Sequence, residues 1–241
     1  MGVIKNRVGE KRYNNQNLLM EIIEYNKAID ITVKFEQSGY ICKCKYGNFQ
    51  RGEVYDKFHP TVCNKGYIGD IKISNKKCYR TWVIMVHRCY DKNAQKIHST
   101  YKDCSVCDEW LCYANFEKWY KENYYEIPNE KMCLDKDILV KYNKIYSPTT
   151  CLFVPNTINV IFQNIKNDKN FLGVRYFKER KAYVVYCSNK GKTIYLGLFK
   201  TEKEAFLEYK KYKENYIKQI ADEYKNKIPI NVYNALINYT V

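Results

Sequence analysis

Histidine is scarce in this chain: His59, His87 and His98 are the only three among 241 residues. Acidic residues are also few, 26 against 41 Lys and Arg, so the formal net charge is +15. No apolar run approaches the roughly 18 residues that a membrane-spanning helix needs. The first stretch, "MGVIKNRVGEKRYNNQ", has no apolar centre of the kind a secretion leader carries. These absences argue against a membrane protein and make the cytoplasm the expected compartment. Eleven cysteines are present, but the odd number, their scatter through apolar contexts and the missing leader argue for free thiols. Cys104 and Cys107 form a single C-x-x-C without a second pair. A structural zinc needs four ligands, so none is expected there.

What is abundant is positive charge and tyrosine. A surplus of 15 charges raises local concentration near polyanions, and nucleic acid is the first partner class to consider. The charge says nothing about oligomeric state.

Hydrophobic content of 46% allows a packed core. Residues 1–17 are a polar arm. In "AIDITVKFE", Ile29, Ile31, Val33 and Phe35 alternate with Asp30, Thr32 and Lys34, the period of a half-buried strand. "YICKCKYGNFQRGEV" and "CNKGYIGDIKI" read as further strands with glycine turns. Residues 78–125 carry helical spacing: Trp82, Met85, Val86 and Cys89, then Trp110, Tyr113, Ala114, Phe116 and Trp119. Such stripes usually mean burial. A strand over 131–137, a turn-rich connection through Asn143 and Ser147-Pro148, a strand over 151–154 and a helix from Pro155 come next. Proline suits a first helical position, where its missing N–H would lack a partner anyway.

After a polar linker over 164–170, three strand-like runs fill residues 171–199. Thr201 and Glu204 then form a capping box, and Ala205, Tyr209, Tyr212, Tyr216, Ile220 and Tyr224 make an apolar stripe. Pro229 is expected to end that helix. The expectation is an α+β chain of three domains: a small β domain at 1–73, a central domain at 74–165 and a sheet-plus-helix domain at 166–241.

Between Phe171 and Lys200 there are seven Lys or Arg and one acid, Glu179, interleaved with aromatics. If a helix covers one face of the sheet, the other is free to enter a major groove. An ordinary solvated face is the alternative. The run "GVRYFKERKAYVVYC…KTIYLGLFKTEKEAFLEYKKY" resembles the Apetala/ethylene-response-factor (ERF) DNA-binding domain. The resemblance covers about 55 residues. It implies a three-stranded antiparallel sheet packed on one helix, binding double-stranded DNA through the sheet. Arg175, Lys178, Arg180, Lys181, Tyr183 and Lys192 would then lie on or near the contact face. The chain lacks the denser arginine set and strand tryptophans of plant members, so base preference does not transfer.

"LDKDILVKYNKIYSPTTCLFVPNTIN", Leu134 to Asn159, resembles the hairpin of HNH (His-Me finger) nucleases. The helical segments before it resemble those of phage-encoded homing endonucleases. The resemblance implies an HNH-like core that cuts DNA with Mg²⁺ or Mn²⁺. Asp135 matches the metal-binding Asp, Asn143 the turn Asn and Asn159 the helix ligand; Asp137 would stand behind them. Two positions depart from the pattern. Lys136 occupies the place of the catalytic histidine, and Thr150 that of the Asn orienting it. A lysine with a reference pKa of about 10.4 needs a large downward shift to act as a base. It could instead clamp a phosphate, with Asp135, Lys136 and Asn159 as the catalytic set, or the strand end could be merely solvated. On a regular strand Lys136 would point away from both Asp side chains. The chain is thus expected to be a variant endonuclease or a non-cutting DNA-binding regulator.

Overall fold

The computed structural model describes residues 6–163 and 173–241. The expected domain break after residue 165, the linker at 164–170 and the first residue of the basic run, Phe171, lie outside the described residues. The described part is α+β. Two units form, one over residues 1–102 and 106–118, the other over 103–105 and 119–241. The division differs from the three-domain expectation. Residues 74–102 and 106–118 group with the N-terminal strands, and the hairpin groups with the C-terminal sheet.

In the first unit, β1 (Lys11–Tyr13), β2 (Leu19–Lys27), β3 (Asp30–Phe35) and β4 (Ile41–Cys44) form an antiparallel meander. Ile31, Val33 and Phe35 of β3 are buried with Met20 and Ile22 as the alternation expects, but Thr32 on the other face is buried too, its hydroxyl donating to Glu24. Ile29 precedes β3 and is exposed. "YGNFQ" forms the short helix α1 (Tyr46–Gln50), not more strand, and buries Tyr46 and Phe49. "CNKGYIGDIKI" forms no strand and contributes only isolated bridges. Two longer helical stretches follow: α2 (Lys76–Tyr90) and α3 (Lys92–Ile97). Asn75 caps α2 by accepting from the Cys78 N–H, and Asp91 caps α3 at Asn93 and Ala94. After the two-residue β5 (Ser105–Val106) come α4 (Asp108–Leu111) and α5 (Tyr113–Asn123). The helical stripes are core: Trp82 and Trp110 are fully buried, and the Trp82 indole donates to the Trp110 carbonyl at 2.7 Å.

In the second unit, β6 (Met132–Asp135) and β8 (Leu152–Pro155) pair antiparallel, with the two-residue β7 (Ile145–Tyr146) between them in sequence. Helix α6 (Asn156–Gln163) follows directly. Then β9 (Val174–Phe177), β10 (Ala182–Asn189) and β11 (Lys192–Phe199) make a three-stranded antiparallel sheet in the order β11-β10-β9. Helix α7 (Glu202–Tyr224) starts at the capping box that Thr201 and Glu204 form. A further helix, α8 (Ile230–Ile237), begins after Pro229.

At about 1.5 Å per residue, α7 is roughly 35 Å long, more than a three-stranded sheet can cover. Its first half, through Ala205 and Tyr209, packs on Val185 and Cys187 of the sheet. Its second half, through Tyr216, Ile217, Ile220 and Ala221, joins Leu152, Val154, Ile158 and Ile161 of the hairpin and α6, with Val232 and Leu236 of α8. One helix therefore stitches the hairpin and the sheet into one folding unit.

Gly173 enters β9 at φ +72°, and a Cβ there would run into the Tyr186 carbonyl and the Tyr209 ring. Gly173→Ala is expected to destabilise this unit by about 2–4 kcal/mol, combining a left-handed backbone with a backbone clash. Urea unfolding measures it; a loss under about 0.5 kcal/mol would show that β9 shifts freely.

None of the described helices is long and apolar enough to cross a membrane. All eleven cysteines are free thiols, and six are buried: Cys78, Cys89, Cys104, Cys112, Cys151 and Cys187.

Candidate nucleic-acid interface and hairpin site

The basic module has two distinct surfaces. Side chains alternate along β10, so Tyr183, Val185 and Cys187 share the face that packs on α7. Tyr183 is therefore not on the free face where the ERF resemblance puts it. Its ring lies 5.1 Å from that of Tyr176, its partner in register across β9. The free face carries the other set. Val184 stands opposite Arg175 on one side and Leu198 on the other, and Tyr186 stands opposite Tyr195. The Tyr186 and Tyr195 rings are 5.6 Å apart and are 41% and 57% exposed. A bulge between Val185 and Tyr186 puts Leu196 out of step and into the core, which keeps Tyr195 outward.

Arg175 is exposed and, among the described residues, is the one cation on the free face. Lys178, Arg180 and Lys181 are also exposed but sit in the tight turn between β9 and β10, with Lys181 left-handed at φ 47°. The Arg180 guanidinium lies 5.9 Å from the Phe177 ring. Lys192 is exposed at the start of β11, pairing with Asn189 beside the opposite turn. The expected basic sheet face is thus an aromatic and apolar face with one arginine, bordered by basic turns. Among the exposed large hydrophobics of the chain, Phe177, Tyr186, Tyr195 and Leu198 fall on this one free face, while Tyr176 shares the face of Tyr183. A concentration of that kind marks a contact surface.

The hairpin holds the second set of expected site residues. β6 ends at Asp135, and the chain then bends, so strict alternation stops there. For that reason Lys136 does not point away from its neighbours. Its ammonium meets the Asp137 carboxylate at 2.8 Å and donates to the Asn143 carbonyl. It lies 5.8 Å from the Tyr146 ring, and the residue is 5% exposed. Asn143 returns the contact: its side-chain amide donates to the Lys136 carbonyl at 2.8 Å and to the Ile145 carbonyl at 2.6 Å. The Thr150 hydroxyl also donates to the Ile145 carbonyl, at 2.8 Å. Thr150 thus closes the loop and does not orient Lys136.

Asp135 uses one carboxylate oxygen to accept the backbone N–H groups of Asp137 and Ile138, at 2.7 and 2.9 Å. Nearby, burial pushes the Cys151 thiol up to about 12, and the Asp135 charge adds to the rise. Tyr239, just after α8, also has its phenol pushed up, by burial first and then by Tyr142, Asp135 and Asp137. The C-terminal segment therefore crowds the carboxylate end of the hairpin.

Asn159 lies elsewhere. Asp135 pairs with Leu152 and Met132 with Pro155, and the Asn156 N–H donates to the Lys131 carbonyl. Helix α6 thus leaves the hairpin at the end remote from Asp135, three strand steps or about 10 Å away. Asn159, one turn into α6, is half-buried, and its side chain makes no hydrogen bond to another described residue.

Magnesium demands near-octahedral oxygen ligands. Here Asp135 is engaged by two amides and Asp137 by an ammonium, while Asn159 belongs to the helix that leaves the other end of the hairpin. A different cluster went unforeseen. Cys63, His87 and Asp91 bring their ligand atoms within 4.8 Å of one another, with His87 Nδ1 3.4 Å from Asp91. Its thiol and imidazole suit softer metals than magnesium. The one sequence signal was the i,i+4 spacing of His87 and Asp91; Cys63 comes from an irregular loop.

No protein-family model matches this chain, and no significant match exists among the curated proteins or solved structures it was compared with.

Proposed function

We propose that this chain binds double-stranded DNA through its C-terminal sheet. The observation that carries the reading is the free face of β9–β11: Arg175 with the paired Tyr186 and Tyr195, bordered by Lys178, Arg180 and Lys181. Basic side chains supply the phosphate attraction, and exposed aromatics supply contact area. The hairpin in this reading is a folded support. Lys136 supports this role: it is buried, and its ammonium is engaged by the Asp137 carboxylate and the Asn143 carbonyl.

A second reading keeps the hairpin as a variant HNH-like endonuclease acting with Mg²⁺ or Mn²⁺. It is favoured by one observation, the order of strand, loop, strand and helix in β6, β8 and α6 with Asp135 at the strand end. Supercoiled plasmid separates the two. The expected result is a mobility shift without nicking in either metal. Nicking that disappears in Asp135→Ala and Asn159→Ala but persists in Lys144→Ala would establish the enzyme instead.

A further inference from the structure

Lys213 is the most deeply buried lysine among the described residues of the second unit, 3% exposed in the middle of α7. Its ammonium makes no hydrogen bond or ion pair with another described residue; the Tyr216 ring lies 5.8 Å away, and the Cys187 thiol is near enough to act on its charge. A buried ammonium without a counter-charge is costly, and proteins usually pair it. Burial pushes its pKa below the ordinary lysine value. Lys213 lines a cleft of about 520 Å³ whose other walls are the start of α6, the β10–β11 turn and the far end of α7. That volume lies within the usual range of small-molecule sites, roughly 300–1,000 Å³.

The chemistry of the walls favours an anion. Asn156 and Thr157, the first residues of α6, line the cleft; the Asn156 N–H is taken by the Lys131 carbonyl, and the N–H groups after it carry the partial positive charge of a helix start. Tyr216 accepts the Lys190 N–H at 3.1 Å, which leaves its own hydroxyl proton to donate. Among the lining residues two lysines, Lys190 and Lys213, stand against one acid, Glu223. Glu223 is already held by Lys190 at 2.8 and 3.0 Å. The Thr157 and Tyr224 hydroxyls are both spent on Glu130, which is not among the lining residues. Among the described lining residues the unmatched charge is therefore that of Lys213. Val160 and Ile220 add apolar wall beside it.

We propose that this cleft binds the phosphate group of a nucleotide, with Lys213 and the start of α6 on the phosphate and the apolar wall against the nucleoside. The nucleotide is either free or the terminal residue of a nucleic-acid strand. The site does not depend on the sheet as a DNA surface or on cleavage by the hairpin.

Thermal unfolding of the full chain in inorganic phosphate, against chloride at matched ionic strength, is the first test. Phosphate is expected to raise the wild-type Tm and to leave Lys213→Met unmoved, since a ligand stabilises only the state that binds it. Without phosphate, Lys213→Met should melt at or above the wild type, because an uncompensated buried charge has been removed. Equilibrium dialysis with thymidine monophosphate, and with short thymidine oligonucleotides with or without a 5′-phosphate, identifies the source. Binding of the mononucleotide points to a free ligand. A gain of tenfold or more from the 5′-phosphate alone, lost in Lys213→Met, points to a strand end. Val160→Trp, at a half-exposed wall position, fills the cleft while keeping the charge, and should abolish nucleotide binding even if Lys213→Met does not fold. Equal phosphate response in wild type and Lys213→Met, undiminished binding in Val160→Trp, or no binding of any probe overturns the proposal.

Discussion

Asp137→Ala is expected to cost about 3–5 kcal/mol, the largest single-residue loss in the hairpin. The reason is the position of Lys136. Its side chain is 6% exposed and that of Asp137 is 13% exposed, so the pair sits where water cannot replace a lost partner. Removing the carboxylate leaves the ammonium with the Asn143 carbonyl and the Tyr146 ring. Those neutral groups offset part of a buried charge, not all of it. Replacing both members, Lys136→Met with Asp137→Leu, removes the charge and its desolvation cost together. That double variant is expected to stay within about 1 kcal/mol of wild type. The comparison is a double-mutant cycle read by urea unfolding. It also decides the role of Lys136. A structural lysine yields a strong non-additivity and no effect on DNA affinity. If Lys136→Met left stability untouched but removed a plasmid-nicking activity, the lysine would be chemical and the support reading would fail.

The hairpin also illustrates how far a sequence can be read. The strand–loop–strand–helix order over Leu134–Asn159 was legible from the Ser-Pro turn and the proline near the helix start, although Pro155 closes β8 and the helix expected from it begins one residue later, at Asn156. The three strands and capping box of the last module were legible in the same way. What could not be read was where local periodicity stops. The side-chain direction of Lys136 depends on the chain leaving β6 at Asp135, one residue earlier. Tyr183 was misplaced because alternation says which residues share a face but not which face the helix takes. Only Val185 and Cys187, the fully apolar pair of that face, could have decided it. The shared core of hairpin and α7 was invisible too. It depends on the length of α7 and on α8, whose eight apolar-rich residues follow a proline that looked like an end. The cleft around Lys213 belongs to this class: its lining comes from three elements between 156 and 224, with no motif to link them.

Substituting Arg175, Lys178, Arg180 and Lys181 together by Gln is expected to weaken duplex binding by on the order of a hundredfold at low salt. Each phosphate contact contributes about 0.9 to the slope of log affinity against log salt, so the slope should fall by roughly 3 to 4 if all four touch the backbone. Because the whole chain carries +15, a loss of affinity could reflect net charge alone. Lys27, Lys34, Lys43 and Lys45, all exposed in the first unit, provide the matched control. Their replacement by Gln removes the same charge far from the proposed surface in sequence and should change the slope little. The tyrosines separate a second contribution. Tyr186→Ala with Tyr195→Ala removes the exposed ring pair but no charge. It is expected to lower affinity about tenfold while leaving the salt slope unchanged, because base and sugar contacts release no counterions. Fluorescence anisotropy over a salt series on one labelled duplex measures all four proteins. Equal losses in the two lysine and arginine sets would mean a diffuse electrostatic attraction, and the sheet would no longer be the binding surface. A loss confined to the Arg175 set, with the tyrosine effect independent of salt, would mean that phosphates are held by the turn and bases are met by the face.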